Sequence, residues 1–433
     1  MTLRKIILIL LYFLTIAHSV ISQGSWQAIL SAPNGGRYDD ICFVNDSVGF
    51  TGQSSEIYKT TDKGAHWNLI SLLDSGNQYY IRSIEFINDT IGFAGILYSS
   101  VTLQGNLFKT IDGGYSWTLL QNMQIQQYDG ICGIAHFGNI LVAVGTYSQQ
   151  AWFYRSDDFG ASWTKVDLTL LASGLVDCYM VNSDTILISG IAEAANQNKA
   201  TILKSVDGGA TWQRVYLAPA PNSYCWKMFF RPNGLGLASI ADGPPVVART
   251  TDFGTTWITQ TVYTATNSAL GAIGLLNDTL GWVTDQYGSG TWKTTDGGLT
   301  WTSVITPVLK GDRMVVTDPA TALICGQTIY RYQSGLTGLQ NPPAPILPSH
   351  ELLIYPNPTD SKITIEAMAV CNTFGLLDIL DEKGLSVLHV ARQPFKRGKN
   401  SFIVPVEKLP AGNYKVLWRN NQTFVTQPFV VVK

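Results

Sequence analysis

Six points along the sequence set polar aromatic and charged side chains just ahead of short apolar runs: Tyr38, Asp39 and Asp40; Tyr80 and Arg82; Tyr128 and Asp129; Asp177; Tyr224, Trp226 and Lys227; and Arg313. Aromatic faces beside carboxylates and cations suit stacking on a sugar or anchoring of a peptide. A hydrolytic alternative uses Asp39 or Asp40 opposite Asp177, because inverting glycoside hydrolysis needs two carboxyl groups about 6.5–9.5 Å apart. Other chemistries have little to build on. There are five His and no Cys-x-x-Cys or His-x-x-x-His pair, so no metal site is expected. Gly-x-Ser-x-Gly, phosphate-loop and dinucleotide fingerprints are missing as well, so no cofactor is expected.

Positioning these residues falls to an internal repeat. IYKTTDKGAHWNLI, LFKTIDGGYSWTLL, FYRSDDFGASWTKV, ILKSVDGGATWQRV, VARTTDFGTTWITQ and TWKTTDGGLTWTSV share one pattern. Their central residues are Asp62, Asp112, Asp158, Asp207, Asp252 and Asp296, spaced by 50, 46, 49, 45 and 44 residues. Each has Ser or Thr two before it, Lys or Arg three before it, Gly two after it and Trp five after it. This reads as a β-hairpin: apolar alternation leads in, Asp-x-Gly turns the chain, and Trp opens the return strand. Asp and Ser/Thr cap the turn's N–H groups, Gly takes positive φ, and each Trp has about 150–250 Å² to bury.

A second motif precedes each hairpin: NDSVGFTG, NDTIGFAG, GNILVAVG, SDTILISG, PNGLGLAS and NDTLGWVT. A seventh copy, DPATALICG, leads into TIYRYQSG, which lacks the Asp and the Trp. The missing return strand has a donor near the N-terminus, where GSWQAIL places Trp26 as in YSWTLL. Seven units over residues 23–335 give about 45 residues each, the size of a four-stranded propeller blade. The expectation is an all-β, seven-bladed β-propeller closed by strands from both termini, rather than a solenoid that would need capping repeats.

The S/T-x-D-x-G-x-x-W segments resemble Asp boxes, or bacterial neuraminidase repeats, known from sialidases, sortilin ectodomains, xyloglucanase-type hydrolases and the photosystem II assembly factor propeller. The resemblance covers nearly 300 residues. It implies boxes at the blade periphery, remote from the ligand face, so the six Asp residues are not expected to be catalytic. A sialidase would also need an arginine triad. The candidate mouth offers Arg82, Arg313 and Arg37, and the Phe/Tyr-Arg-Ile-Pro motif of that family is absent. The long glycine-rich insertions of the xyloglucanase family are missing too. A binding mouth is therefore expected over an enzyme, with a glycoside hydrolase as the alternative.

After SGLTG the chain becomes Pro-rich, which reads as an extended linker over 336–350. Residues 351–433 then carry seven short alternating runs, the pattern of a small Ig-like β-sandwich. Tyr355-Pro356-Asn357-Pro358, Asp381 to Gly384, and Leu409-Pro410-Ala411-Gly412-Asn413-Tyr414 resemble the type A C-terminal sorting domain of the type IX secretion system. That resemblance implies engagement of the type IX machinery and a secreted or outer-surface location reached through the periplasm. Residues 1–22 fit a cleaved secretory signal, with Arg4 and Lys5 before the apolar stretch Ile6 to Ile16 and a small Ser22 at the end. No later segment offers about 18 uninterrupted apolar residues, so no membrane span is expected in the mature chain.

Composition agrees. The chain of 433 residues is 45% hydrophobic and 14% charged, with a net charge of −2, or −4 without Arg4 and Lys5. Such a chain lacks the polycationic surface that nucleic acid requires, and it has ample apolar area to fold. Of six Cys, Cys42, Cys132, Cys178 and Cys225 sit in recurring apolar strands of separate repeats, which makes them small core residues rather than disulfide partners.

Overall fold

The computed structural model describes residues 24–334, apart from 33–35, 75–78, 100–105, 122, 124–129, 146–149, 266–267, 289 and 309, together with 351–432, apart from 370–372, 383–385, 397 and 421–423. The leader, the Pro-rich linker, Tyr128 and Asp129 lie outside the described residues.

Each repeat folds into a four-stranded antiparallel blade. Blade 1 runs from its inner to its outer strand as Ile41–Phe43, Gly49–Gln53, Glu56–Thr60 and Asn68–Leu72. The inner strands of blades 2 to 6 are Tyr79–Phe86, Gly133–Phe137, Gly174–Met180, Tyr224–Phe230 and Ser268–Leu275. Blade 7 comprises Gly311–Asp318, Thr321–Gly326 and Ile329–Gln333, and its outer strand is Ser25–Ala28 from the other end of the chain. Trp26 lies opposite Tyr332 in that pairing. The inner strand of each blade touches the next, and that of blade 7 touches that of blade 1, so the ring is closed. One regularity is broken: the second strand of blade 5, Gly236–Gly243, also pairs with the inner strand of blade 6 through Ala241 and Ala269.

The repeated motif divides its labour. In every box the Ser/Thr hydroxyl accepts from the N–H of the Gly two after Asp, as Thr110 Oγ1 does from Gly114 at 3.0 Å, and donates to the Asp carboxylate. The Asp in turn caps the N–H groups that open the return strand, for example those of Tyr115 and Ser116 at 3.0 and 2.9 Å from Asp112. Hydrogen bonds from the Ser116 side chain and backbone hold Asp112 down at about 2, and those from Thr211 do the same for Asp207. The turn glycines have φ between +70° and +96°, and a Cβ on Gly209 would lie 2.4 Å from Phe153 of the preceding blade.

The Trp rings fill the seams between blades. Trp163 of blade 3 meets Phe93 of blade 2 edge-on at 6.3 Å, and Trp212 of blade 4 meets Phe153 of blade 3 at 4.9 Å. In four of the six boxes the Lys or Arg three before Asp reaches forward instead. Lys109 Nζ, Arg155 Nη1, Lys204 Nζ and Arg249 Nε donate to the carbonyls of Phe159, Gly208, Phe253 and Gly297 at 2.6, 3.1, 2.9 and 2.8 Å. Each acceptor is the residue after Asp in the next blade's box. In these four boxes the cation is thus a latch between neighbouring blades.

The C-terminal residues form two facing sheets, one of Glu351–Tyr355, Lys362–Ala369 and Gly398–Pro405, the other of Thr373–Leu380, Ser386–Phe395, Gly412–Asn420 and Phe424–Val431. Trp418, Phe395, Phe429, Ile363 and Ile365 fill the space between them. The sequence motifs of this part are structural ties. Asn357 accepts from Val430 N at 2.9 Å, Asn413 Nδ2 donates to Glu382 at 2.9 Å, and the Tyr414 hydroxyl donates to Pro410 O at 2.9 Å.

Trp26 is 5% exposed and meets Trp282 of blade 6 edge-on at 5.3 Å, with Tyr332 at 5.5 Å. Trp26→Ala is expected to destabilise the ring by about 3–5 kcal/mol, the range for emptying a large aromatic site. Denaturant melts check this, and an unchanged midpoint would contradict closure through this strand.

Candidate functional site

The channel along the ring axis is lined by the inner strands. Their ladders slip register where the charged residues sit: between Ile81 and Ser83, Leu175 and Asp177, Cys225 and Lys227, and Gly311 and Arg313. A bulge re-aims side chains, and here it turns them into the channel, where they meet residues from other blades.

Two connected sets result. Nearer the strand entrances, Arg37 Nε and Nη2 contact Asp39 and Asp312, each at 2.8 Å. The Tyr80 hydroxyl donates to the other Asp39 oxygen, and Arg82 Nη1 stands 3.8 Å from Asp39. One residue further along the strands, Arg313 bridges two carboxylates: Nε to Asp40 at 2.7 Å, and Nη2 and Nη1 to Asp177 at 2.6 and 3.3 Å. Backbone N–H groups complete the carboxylates, Ile84 to Asp40 at 3.1 Å and Met228 to Asp177 at 2.8 Å.

Burial tunes the charges. Asp177 would be raised by desolvation, yet the Arg313 and Lys227 cations hold it below the usual carboxylate range. Burial and the Asp39 carboxylate push Asp312 up to about 6. Burial, with the Arg313 and Arg82 cations, pushes Lys227 down to about 8. Breaking such a pair from one side strands an uncompensated charge, at a cost of about 3–5 kcal/mol.

The residues singled out from sequence divide three ways. Asp39, Asp40, Arg82, Asp177, Lys227 and Arg313 do converge, but inside the channel and largely on one another: Asp39, Arg82, Asp177 and Lys227 are at most 1% exposed. Trp226, expected as an open stacking platform, is buried, with the Arg82 and Arg37 guanidinium carbons 4.7 and 5.8 Å from its ring centroid. Tyr38 is fully buried in the core beside Tyr58 and belongs to no mouth. Tyr80 and Tyr224 are half-buried, and the Arg37 side chain is 43% exposed. Asp312 escaped sequence reading, although it precedes Arg313 much as Asp39 precedes Asp40. Among the described residues no group of three or more His, Cys, Asp or Glu is placed to hold a metal.

Asp40 and Asp177 do face each other, but a guanidinium lies between them where an inverting hydrolase would hold substrate and water. Asp177 is held low by the Arg313 and Lys227 cations, the opposite of what a general acid needs.

Residues 353–433 match the family of the secretion system C-terminal sorting domain, so this part of the chain is a sorting domain of the type that directs type IX secretion. Over 145 residues the chain is 30% identical to a xyloglucanase of Hypocrea jecorina, a stretch covering 33% of this chain and 16% of that protein. The chain thus spans about a sixth of that relative's length. Among solved structures, YCF48 bound to D1 peptide is similar with a TM-score of 0.52 at 18% identity, over 72% of this chain and 98% of that one. YCF48 from Cyanidioschyzon merolae gives 0.52 at 14%, with the same coverage. The GH74 xyloglucanase from Xanthomonas campestris gives 0.53 at 12%, over 95% and 74%. At these identities the likeness establishes the propeller fold alone. No helix among the described residues is long and apolar enough to cross a membrane.

Because Asp312 is raised from 3.8 to about 6, folding disfavours its ionised form. That cost is present above about pH 6 and is relieved as pH falls from 6 towards 4. Melting temperature should rise over that interval in the native protein and lose this slope in Asp312→Asn. The same slope in both proteins would assign it to another group.

Proposed function

We propose that the chain is an exported recognition protein: a leader over 1–22, an Asp-box propeller over 23–335, a linker over 336–350 and a sorting domain over 351–433 that delivers it through the periplasm to the cell surface or medium. The propeller binds a glycan or protein partner on its channel-mouth face without turning it over. The observation that carries this reading is the Asp40–Arg313–Asp177 clamp, which consumes the carboxylates a hydrolase would need. Arg37, Tyr80 and Tyr224 remain within reach of solvent as a polar aromatic rim. The D1 peptide on the fold-related YCF48 favours a protein ligand by analogy of fold. The partial identity to a xyloglucanase favours the second reading, a glycoside hydrolase using Asp39 or Asp40 with Asp177.

Probing the mature protein on polysaccharide and peptide arrays, with released reducing ends measured in parallel, separates the two. Binding without product is expected, weakened about tenfold by Tyr224→Ala or Arg37→Ala if either is an anchor worth over 1 kcal/mol. Release of sugar that vanishes in Asp177→Asn would establish the hydrolase instead. Export is tested separately: deleting residues 351–433 should leave a folded propeller in the periplasm. Arrival of the deleted form in the medium by the native route would sink that assignment.

A further inference from the structure

Three buried cationic donor atoms in the channel are left without a hydrogen-bond partner among the described residues. Arg82 and Lys227, from blades 2 and 5, are each 1% exposed. The Arg82 Nη1 and Nη2 atoms and the Lys227 Nζ have no hydrogen-bond partner among the described residues. They share a neighbourhood: Arg82 lies over the ring of Trp226, the residue beside Lys227, and both cations act on the buried Cys132 thiol. The nearby carboxylates are already engaged. Both oxygens of Asp40 and both of Asp177 accept from Arg313 or from backbone N–H groups, while Asp39 pairs with Arg37 and accepts from Tyr80, and its Oδ1 stands 3.8 Å from Arg82 Nη1, beyond hydrogen-bond reach.

We propose that the propeller channel contains an internal site for a small monovalent inorganic anion of the halide class, held by Arg82 and Lys227. Three features select that ligand. Two fully buried cations with unfilled donors call for an acceptor, and an anion brings acceptors without new donors that would themselves need partners. The donors come from blades far apart in the ring, so a single ion ties together strands that share no ladder. Enclosure excludes a carboxylate or phosphate carried on a macromolecule, because neither cation is open to the surface. The side chain of Arg313, which holds Asp40 and Asp177, is 16% exposed.

The test uses the full mature protein. Crystals soaked in bromide and measured at the bromine absorption edge should show an anomalous peak within hydrogen-bonding reach of Arg82 and Lys227. In solution the melting temperature should climb with chloride concentration at constant ionic strength, with gluconate as the counter-anion too large to enter. Lys227→Met should abolish both signals. If that variant fails to fold, the native bromide map alone decides. No peak at this place, a peak only elsewhere, the Asp129 carboxylate seated on these cations, or equal melting in chloride and gluconate would each overturn the proposal.

Discussion

A blade buries its two faces only against two neighbours, so seven blades in an open row would leave one apolar face and one unpaired strand edge at each end. The antiparallel pairing of Ser25–Ala28 with Ile329–Gln333 removes both liabilities at once. Every other feature presupposes it. The Trp seams need a neighbour on each side, the cationic latches need a box ahead of them, and Arg313 of blade 7 meets Asp40 of blade 1 only in a closed ring. Closure also costs the chain its longest loop, which grows only slowly with length and is recovered through the extended aromatic contact of Trp26, Trp282 and Tyr332.

Once the ring is closed, its axis becomes the place of lowest dielectric that charged residues can occupy while facing one another. Two cations, Arg37 and Arg313, hold the four carboxylates Asp39, Asp312, Asp40 and Asp177, and the buried Arg82 and Lys227 stand among them. Such clusters seldom add stability over an apolar plug, because desolvation offsets the Coulombic gain. Their use is geometric. A guanidinium that satisfies carboxylates of blades 1 and 4 ties blade 7 to both across the axis.

The repeat, its hairpin and the donated outer strand were legible because they rest on local chemistry: a turn needs its Asp and Gly, and a seam needs its Trp. The sorting domain was legible for the same reason, since Asn357, Asn413 and Tyr414 each tie down a nearby turn or strand end. The channel was read only in part. Sequence shows that Asp40, Asp177 and Arg313 open inner strands. It does not show that they satisfy one another, because their partners lie 273 and 136 residues away and meet through bulges that break the period of two. Tyr38 was misplaced for a related reason: one step along the segment that leads into Ile41–Phe43 separates Tyr38, packed in the core, from Asp39 in the channel.

Blade 7 separates the two chemistries that the repeated motif combines elsewhere. Its third strand, Ile329–Gln333, is followed by no turn into the outer strand, because that strand arrives from the other end of the chain. The Asp that caps the outer turn of the other six units has no such turn to serve here, and TIYRYQSG omits it. The seam against blade 6 still has to be filled, and there the aromatic persists: Trp26 meets Trp282 as Trp163 meets Phe93 between blades 3 and 2. The one unit that breaks the pattern therefore assigns the parts of the other six. Ser/Thr, Asp and Gly serve the turn, Trp serves the seam, and both lie on the outer hairpin of the blade, which leaves the axis and its mouth free to differ from one blade to the next.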